Sequence, residues 1–375
     1  MKIPTPQNPA PWDAKPFLEC LGDLGIEKPG KLLARDYKPK GPIPVVDQGQ
    51  QLIAGWTVEE TLAIRENLPF IVFGDHTRAF KFINFPFALG ADGTHLLKPA
   101  EGFNPQFFYY ACLHLPLPNR GYNRHFTVLK EQALPKPPKP EQEKIAAVLW
   151  KIQRAIEVEG KLVATAHELR QSAMNQLFIE GLRTSPAAWK ALRLGDYCTF
   201  TTGKLDSNAA TPNGQYPFFT CSQETARINT YAFDQEAILL AGNNAQGNYS
   251  VKYFSGKFNA YQRTYVITIK DTASLDYNFL LYTLSRKLEE LKMASLGTVT
   301  KYLTATIING LDLNLPPVPE QKEIASILQM IDRKISIHER KHAALSDLFQ
   351  TMLHQLMTAQ IRVDELDIDA SEVAA

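Results

Sequence analysis

Apolar residues between 140 and 182 recur at heptad a and d spacing, through Ile145, Val148, Ile152, Ala155, Leu162, Ala166, Leu169 and Ala173. A stripe of this period over about five heptads predicts a long helix of coiled-coil type, interrupted at Glu159 and Gln176. A second stripe over 319–362 runs through Ile324, Ile327, Ile331, Leu345, Leu348 and Met352, with Lys334, His338 and Lys341 at its middle. Each helix is entered from a proline-rich run, LPKPPKPEQ (134–142) and LNLPPVPEQ (313–321). Proline can continue neither a strand ladder nor a helix interior, so both runs predict rigid hinges that end in a helix start. Before each hinge the pattern changes to short apolar runs. IPVV (43–46), FIVFG (70–74) and FKFINF (80–85) predict strands, and FNPQFFYYACLHL (103–115) a helix. FFTC (218–221), AILLAG (237–242), YSVKYF (249–254) and TYVITI (264–269) predict strands in the second stretch, followed by a helix over 277–293. Residues 1–15 read as an irregular lead-in, TSPAAW (184–189) as the break after the first long helix, and 363–375 as an acidic, disordered tail.

The two helical segments are one segment written twice. Residues 140–183 and 319–362 lie 179 positions apart and share 15 identities in 44 ungapped positions, Pro-Glu-Gln included. Residues 21–50 repeat at 194–223, with ten identities in thirty, among them Leu-Gly-Asp (21–23 and 194–196) and Gly-Lys-Leu (30–32 and 203–205). Between these anchors the copies diverge. Each module therefore has a constant frame, a variable middle and a constant helix. The fold expected is α+β, a pseudo-twofold object of two mixed α/β domains alternating with two long helices. At about 1.5 Å per residue each helix is roughly 60 Å long. Neither has another long partner, so the two are expected to pair as an antiparallel coiled coil. A pseudo-twofold protein suits a pseudo-twofold ligand, of which duplex DNA is the commonest.

Composition narrows this only slightly. The chain has 375 residues and a formal net charge of +1, so isolated DNA binding should be weak unless partners supply phosphate contacts. The four cysteines, Cys20, Cys112, Cys198 and Cys221, form no Cys-x-x-Cys pair and predict reduced thiols rather than a zinc site. With no long apolar run and no signal-peptide pattern, the expectation is a soluble, cytoplasmic protein without a membrane partner.

LPPVPEQKEIASIL (315–328), KPPKPEQEKIAAVL (136–149) and the LGD…TGK frame at 194–204 together resemble the specificity subunit of Type I restriction-modification systems. The resemblance implies a target recognition domain at 1–135, a hinge and conserved helix at 136–183, a second recognition domain at 184–314, and a second hinge and helix at 315–362. It implies a non-catalytic subunit that reads a split DNA target, one half per recognition domain, with the helices acting as a ruler for the unread spacer. The implied partners are double-stranded DNA, two adenine-N6 methyltransferase subunits and restriction/translocase subunits. No cofactor is expected on this chain; S-adenosylmethionine, ATP and Mg belong to the partners. The first frame, LGDLGIEKPGK, lacks the polar TTGK context of the second.

Base readout needs side chains that present donors and acceptors to groove edges. The Gly-rich loop GNNAQGNYSVKY (242–253) offers Asn243, Asn244, Gln246 and Asn248. Amides pair bidentately with adenine, but Asn and Gly are also ordinary turn residues, and both readings stand at this stage. AYQRTYV adds Gln262 and Arg263, and GTVTKY adds Thr298 and Lys301. In the first half, GDHTRAFK (74–81) offers Asp75, His76, Arg78 and Lys81, and GYNRHF (121–126) offers Asn123, Arg124 and His125. His76 lacks partner ligands at metal spacing and reads as a polar or structural residue. The repeated Lys31 and Lys204 suit either a phosphate clamp or a structural Gly-Lys turn.

Catalytic signatures fail. Asn104-Pro105-Gln106-Phe107 lacks the second proline of an amino-methyltransferase motif and has no upstream cofactor loop. GDYCTFTTGK (195–204) has the wrong spacing for a phosphate-binding loop. The alternatives carried forward are a coiled-coil interaction scaffold and a self-contained DNA methyltransferase or nuclease.

Overall fold

The computed structural model of the chain describes residues 12–27, 29–90, 93–118, 124–184, 189–363 and 368. In chain order the elements are β1 (Ala14–Pro16), β2 (Lys31–Leu32), β3 (Ile43–Val46), β4 (Gly55–Thr57), β5 (Ala63–Ile64), β6 (Phe70–Gly74), β7 (Phe80–Ile83), β8 (Phe87–Gly90), β9 (Thr94–Leu97), α1 (Pro105–His114), α2 (Phe126–Lys130), β10 (Ala133–Pro135) and α3 (Lys139–Thr184). Then follow β11 (Lys190–Arg193), α4 (Leu194–Tyr197), β12 (Cys198–Thr202), β13 (Tyr216–Phe219), β14 (Ala226–Ile228), β15 (Phe233–Ala241), β16 (Asn243–Asn244), β17 (Val251–Ala260), β18 (Thr264–Ile269), α5 (Tyr277–Arg286), α6 (Leu288–Ala294), β19 (Lys301–Tyr302), α7 (Ala305–Asn309), β20 (Asp312–Leu315) and α8 (Val318–Met357). The chain divides into two compact units, Met1–Gly160 with Arg340–Ala375, and Lys161–Glu339.

In the first unit, β2, β8, β3 and β4 form one sheet, with β5 also on β8; β2 and β3 run parallel to β8. A second sheet orders β7, β6 and β9 antiparallel. All five residues of β6 are buried, which explains its unbroken apolar run. The main core joins Phe73, Phe107 and Leu129 to Ile145 of α3 and Leu353 of α8. In the second unit a six-stranded sheet runs β12-β18-β15-β17-β13-β14, with β13 parallel to β17. Its core unites Leu240, Ile267 and Phe279 with Phe178 of α3 and Leu328 of α8. The helix expected over 277–293 is two, broken at Lys287.

The repeated Pro-Glu-Gln acquires a physical meaning here. Gln142 accepts from Asn104 N at 2.8 Å and donates to Gly102 O at 3.1 Å and Pro137 O at 2.8 Å. Gln321 accepts from Asp276 N at 2.9 Å and donates to Ser274 O at 3.1 Å and Pro316 O at 2.9 Å. Asn104 and Asp276 are the N-caps of α1 and α5, their carboxamide and carboxylate oxygens each accepting two backbone N–H groups of the first turn. Each buried glutamine thus ties a hinge to the start of a domain helix. The preceding glutamates repeat a second tie: Trp12 Nε1 donates to Glu141 at 3.2 Å, and Trp189 Nε1 to Glu320 at 3.0 Å.

Within the first unit Glu141 pairs with Arg362 at 2.6 Å and Glu159 with Lys341 at 2.5 Å. Within the second, His167 meets Glu339 at 3.3 Å and Arg170 meets Asp332 at 2.5 Å. In each unit the partner number on the C-terminal segment falls as the α3 number rises, so the segments run antiparallel. The seam departs from the a/d expectation. Leu162 and Leu169 are 42% and 56% exposed, while Glu159 is 4% exposed. The inward stripe passes through Ile156, Glu159, Val163, Ala166 and Arg170. Two charged residues occupy it, each satisfied by α8, and an apolar pattern cannot register them. α8 stops at Met357 rather than 362: Ala359 takes φ 53° and Ile361 N closes the end on Gln355 O at 3.2 Å. Val363, expected to open a disordered tail, is 1% exposed in the first unit's core, with Ile368 packed against that core. Residues 14–16 of the expected irregular lead-in form β1, paired with β10. Residues 1–11 and the tail at 364–367 and 369–375 lie outside the described residues.

Candidate nucleic-acid interface

In the second unit the expected residues converge through backbone contacts. Gly203 sits so close to the turn after β17 that a Cβ there would lie 1.7 Å from Ala260 O; only glycine fits. Exposed Lys204 follows it. Gln262 N donates to Leu205 O at 2.9 Å, and its side-chain amide donates to the Asp206 carboxylate. Arg263 is exposed, and its carbonyl accepts from Gly242 N at 2.8 Å. Gly242 leads into Asn243-Asn244, which pair as β16 with Tyr302 and Lys301 of β19. Leu303 N closes back on Gly242 O at 2.8 Å. Lys204, Gln262, Arg263, the amide loop and the Thr298–Lys301 loop, far apart in sequence, therefore follow one another along one edge.

Within the amide loop both readings of the asparagines hold, at different residues. Asn244 is the turn-maker, its side-chain oxygen accepting from Gln246 N at 2.9 Å and Asn248 N at 3.1 Å. Gln246 and Asn248 are exposed, with Asn248 Nδ2 donating to Gln246 Oε1 at 3.4 Å. Lys292 of α6 donates to Asn248 Oδ1 at 3.2 Å, and a Cβ at Gly247 (φ +72°) would meet the Lys292 stem at 2.9 Å and the Lys301 stem at 3.5 Å. Lys292 escaped the sequence reading because nothing local to it marks a loop 44 positions away. Lys252, also missed, donates to Ser222 O at 3.1 Å and Thr225 Oγ1 at 3.2 Å, and burial lowers its pKa.

The first unit is different. Asp75 is 3% exposed; its carboxylate accepts from Phe126 N at 2.7 Å and faces His95 Nε2 at 3.6 Å, and its carbonyl bonds His125 Nδ1 at 2.8 Å. Lys81 is 5% exposed and donates to Asp47 O at 2.7 Å; burial lowers its pKa despite the Asp47 carboxylate at 3.8 Å. Both side chains belong to the internal framework and do not reach a groove-facing surface, a correction to their expected role. The reason is that the short β6–β7 turn receives the 124–126 segment and is covered by it. His76 N donates to Gln48 Oε1 at 3.3 Å. Arg78, at φ 61°, donates to Leu117 O at 2.8 Å. Exposed Lys31, on β2, donates to Thr94 O at 2.6 Å, and Arg124 is exposed. Asn123 lies outside the described residues. Among the described residues no group of three or more His, Cys, Asp or Glu is placed to hold a metal ion, and no helix is long and apolar enough to cross a membrane. All four cysteines are free.

Residues 186–347 match the sequence profile described as Type I restriction modification DNA specificity domain. The EcoDI type I restriction enzyme specificity subunit of Escherichia coli is 41% identical over 146 residues, a match covering 39% of this chain and 32% of that protein. The chain thus aligns with about a third of that relative's length. The putative MjaX specificity subunit of Methanocaldococcus jannaschii is 24% identical over 307 residues, covering 72% and 71%. The crystal structure of the Type I restriction-modification S subunit from M. genitalium superposes with a TM-score of 0.74 at 18% identity, covering 94% of this chain and 98% of that one, and shares the fold. The edge built by the second unit lies inside residues 186–347, the stretch similar to the type I restriction-modification DNA specificity domain.

Proposed function

We propose that the chain is a non-catalytic subunit that reads a split sequence in duplex DNA, each unit reading one half. The observation that carries this is the convergence in the second unit of exposed amides (Gln246, Asn248, Gln262) and cations (Lys204, Arg263, Lys292, Lys301) on one edge. Amides suit adenine in the major groove, and cations suit the flanking phosphates. In the first unit the corresponding readers are Lys31, His76, Arg78, Asn123 and Arg124. The partners that fit this role are two S-adenosylmethionine-dependent adenine methyltransferase subunits and ATP- and Mg-dependent restriction subunits, in the cytoplasm. Exposed apolar residues on the long helices, Val158, Leu162 and Leu169 on α3 and Met330 and Ile337 on α8, support docking of such subunits there. The length of the helices then sets the unread spacer. The test is an adenine methylation map of the host with and without this gene, with expression of a neighbouring methyltransferase verified. Loss of one split motif is expected. An unchanged map would overturn the reading in favour of a scaffold.

A further inference from the structure

We infer that Val299 reads the 5-methyl group of a thymine in the half-site recognised by the second unit, an inference that rests on the DNA-reading role proposed above. Leu296 and Tyr302 exchange both backbone hydrogen bonds, Leu296 N to Tyr302 O at 3.0 Å and Tyr302 N to Leu296 O at 2.9 Å, and so pinch residues 297–301 into a closed loop. Gly297 holds φ +95°, and a Cβ there would lie 2.2 Å from Thr300 O. The turn is thus a fixed frame that demands glycine and carries Thr298 and Val299 at its outer end. Val299 is 84% exposed. A lone exposed valine is unremarkable on a protein surface, but this one has a particular setting. Its loop continues directly into β19, whose Lys301 pairs with Asn244 of the amide loop, beside Lys292.

An apolar side chain contributes nothing to a phosphate contact. Among the groups displayed in the major groove, the thymine methyl is the apolar one, and it lies across the same base pair from the adenine N6 and N7 that an amide recognises. Amides, ammonium groups and an isopropyl group presented together match one A·T pair and its flanking phosphates. Val299 is therefore a specificity-determining residue for a thymine, and Gln246 or Asn248 addresses the adenine paired with it.

The test uses the full chain assembled with its co-expressed methyltransferase partner, and duplexes carrying the split sequence recovered from the methylation map, at one fixed salt concentration. Each thymine of the two half-sites is replaced in turn by deoxyuridine, which removes only the methyl group. One replacement is expected to weaken wild-type binding about fourfold, the worth of one buried methyl. Val299→Ser, at a solvent-exposed position and checked for an unchanged melting temperature, should bind the thymine duplex about fourfold more weakly and be indifferent to that replacement. If the variant discriminates thymine from deoxyuridine as the wild type does, or if no replacement weakens the wild type, the inference is wrong. A 2-aminopurine placed in the half-site adds a separate readout. Loss of its unstacking signal in the variant, without any change in methyl discrimination, would make Val299 a stacking wedge and likewise overturn the inference. A wild-type chain that fails to prefer the split sequence over a scrambled duplex would sink the DNA-reading role itself; intact preference without coupling at Val299 would sink this assignment alone.

Discussion

Gln142 and Gln321 show how a repeated residue can be structural in one sense and diagnostic in another. Each satisfies one backbone N–H and two carbonyls from segments that have no ladder partners of their own. Gln142→Leu keeps the volume and removes all three bonds, leaving buried groups unpaired. It should cost the first unit on the order of 3 kcal/mol, and Gln321→Leu should do the same in the second, as measured by denaturant unfolding of the full chain. A loss under about 1 kcal/mol would show that water replaces the amide. A second residue-scale effect follows from His95 and His114, whose pKa values burial depresses, with His354 at 3.2 Å adding to the shift at His114. A depressed folded-state value means that the folded form binds fewer protons than the unfolded chain. The stability is then full above the unfolded value of about 6.5 and is lost as the pH falls through the folded one. Exchange protection factors in β6 and β9, with the acid slowing of intrinsic amide exchange divided out, should therefore fall as the pH drops from about 7.5 to 5.5, and His95→Gln should flatten that dependence. Equal pH responses of variant and wild type would refute it. At this scale the sequence showed that Gly30-Lys31 and Gly203-Lys204 repeat and that the 242–248 amides cluster. It could not show that Asp75 and Lys81 are interior, because burial depends on which distant segment, here 124–126 or Asp47, closes over them.

At the scale of elements, strands with unbroken apolar runs were legible because both faces are covered, as at β6 and over residues 237–241 of β15. The long helices were legible from their period and hinges, but their inner faces were not. Glu159, which interrupts the a/d pattern, lies on the inward stripe and is neutralised by Lys341. An ion pair between a buried carboxylate and a largely exposed ammonium contributes more through what its loss exposes than through its own attraction. Lys341→Met should therefore cost about 1–3 kcal/mol, by removing an ion-pair partner of the buried Glu159 carboxylate. The double variant Glu159→Leu/Lys341→Met should recover most of that loss. Comparing the melting temperatures of the two variants checks it; a double variant no more stable than the single would mean that the pair holds the helices in register rather than merely neutralising a charge.

At the scale of the whole chain, the two modules were legible through their constant parts, and the parts between them were not, because the two copies share no motif there. The structure explains why the variable parts are free to vary. The second stretch leaves the frame at β11 and rejoins it at β20, and these two strands pair with each other, Lys190 opposite Leu315 and Arg193 opposite Asp312. β1 and β10 do the same for the first, Ala14 opposite Pro135. The hinge glutamines grip backbone atoms of the domain, Ser274 O and Asp276 N, so they impose no demand on those side chains. The core of the second stretch, however, also takes in Met174 and Phe178 of α3 and Leu328 of α8. A stretch that enters and leaves through one ladder and is gripped at backbone atoms can be exchanged where the incoming stretch keeps the apolar face that packs on those helix residues. Replacing residues 190–315 with the corresponding stretch of a relative should thus yield a folded chain whose methylated motif changes in one half only, with the other half and the spacer length unchanged. Long-read mapping of methylated adenine in a host carrying the chimera decides it. A change in both halves would mean that recognition is shared between the units, and a change in spacer alone would mean that the exchanged stretch, rather than α3 and α8, sets the distance between half-sites.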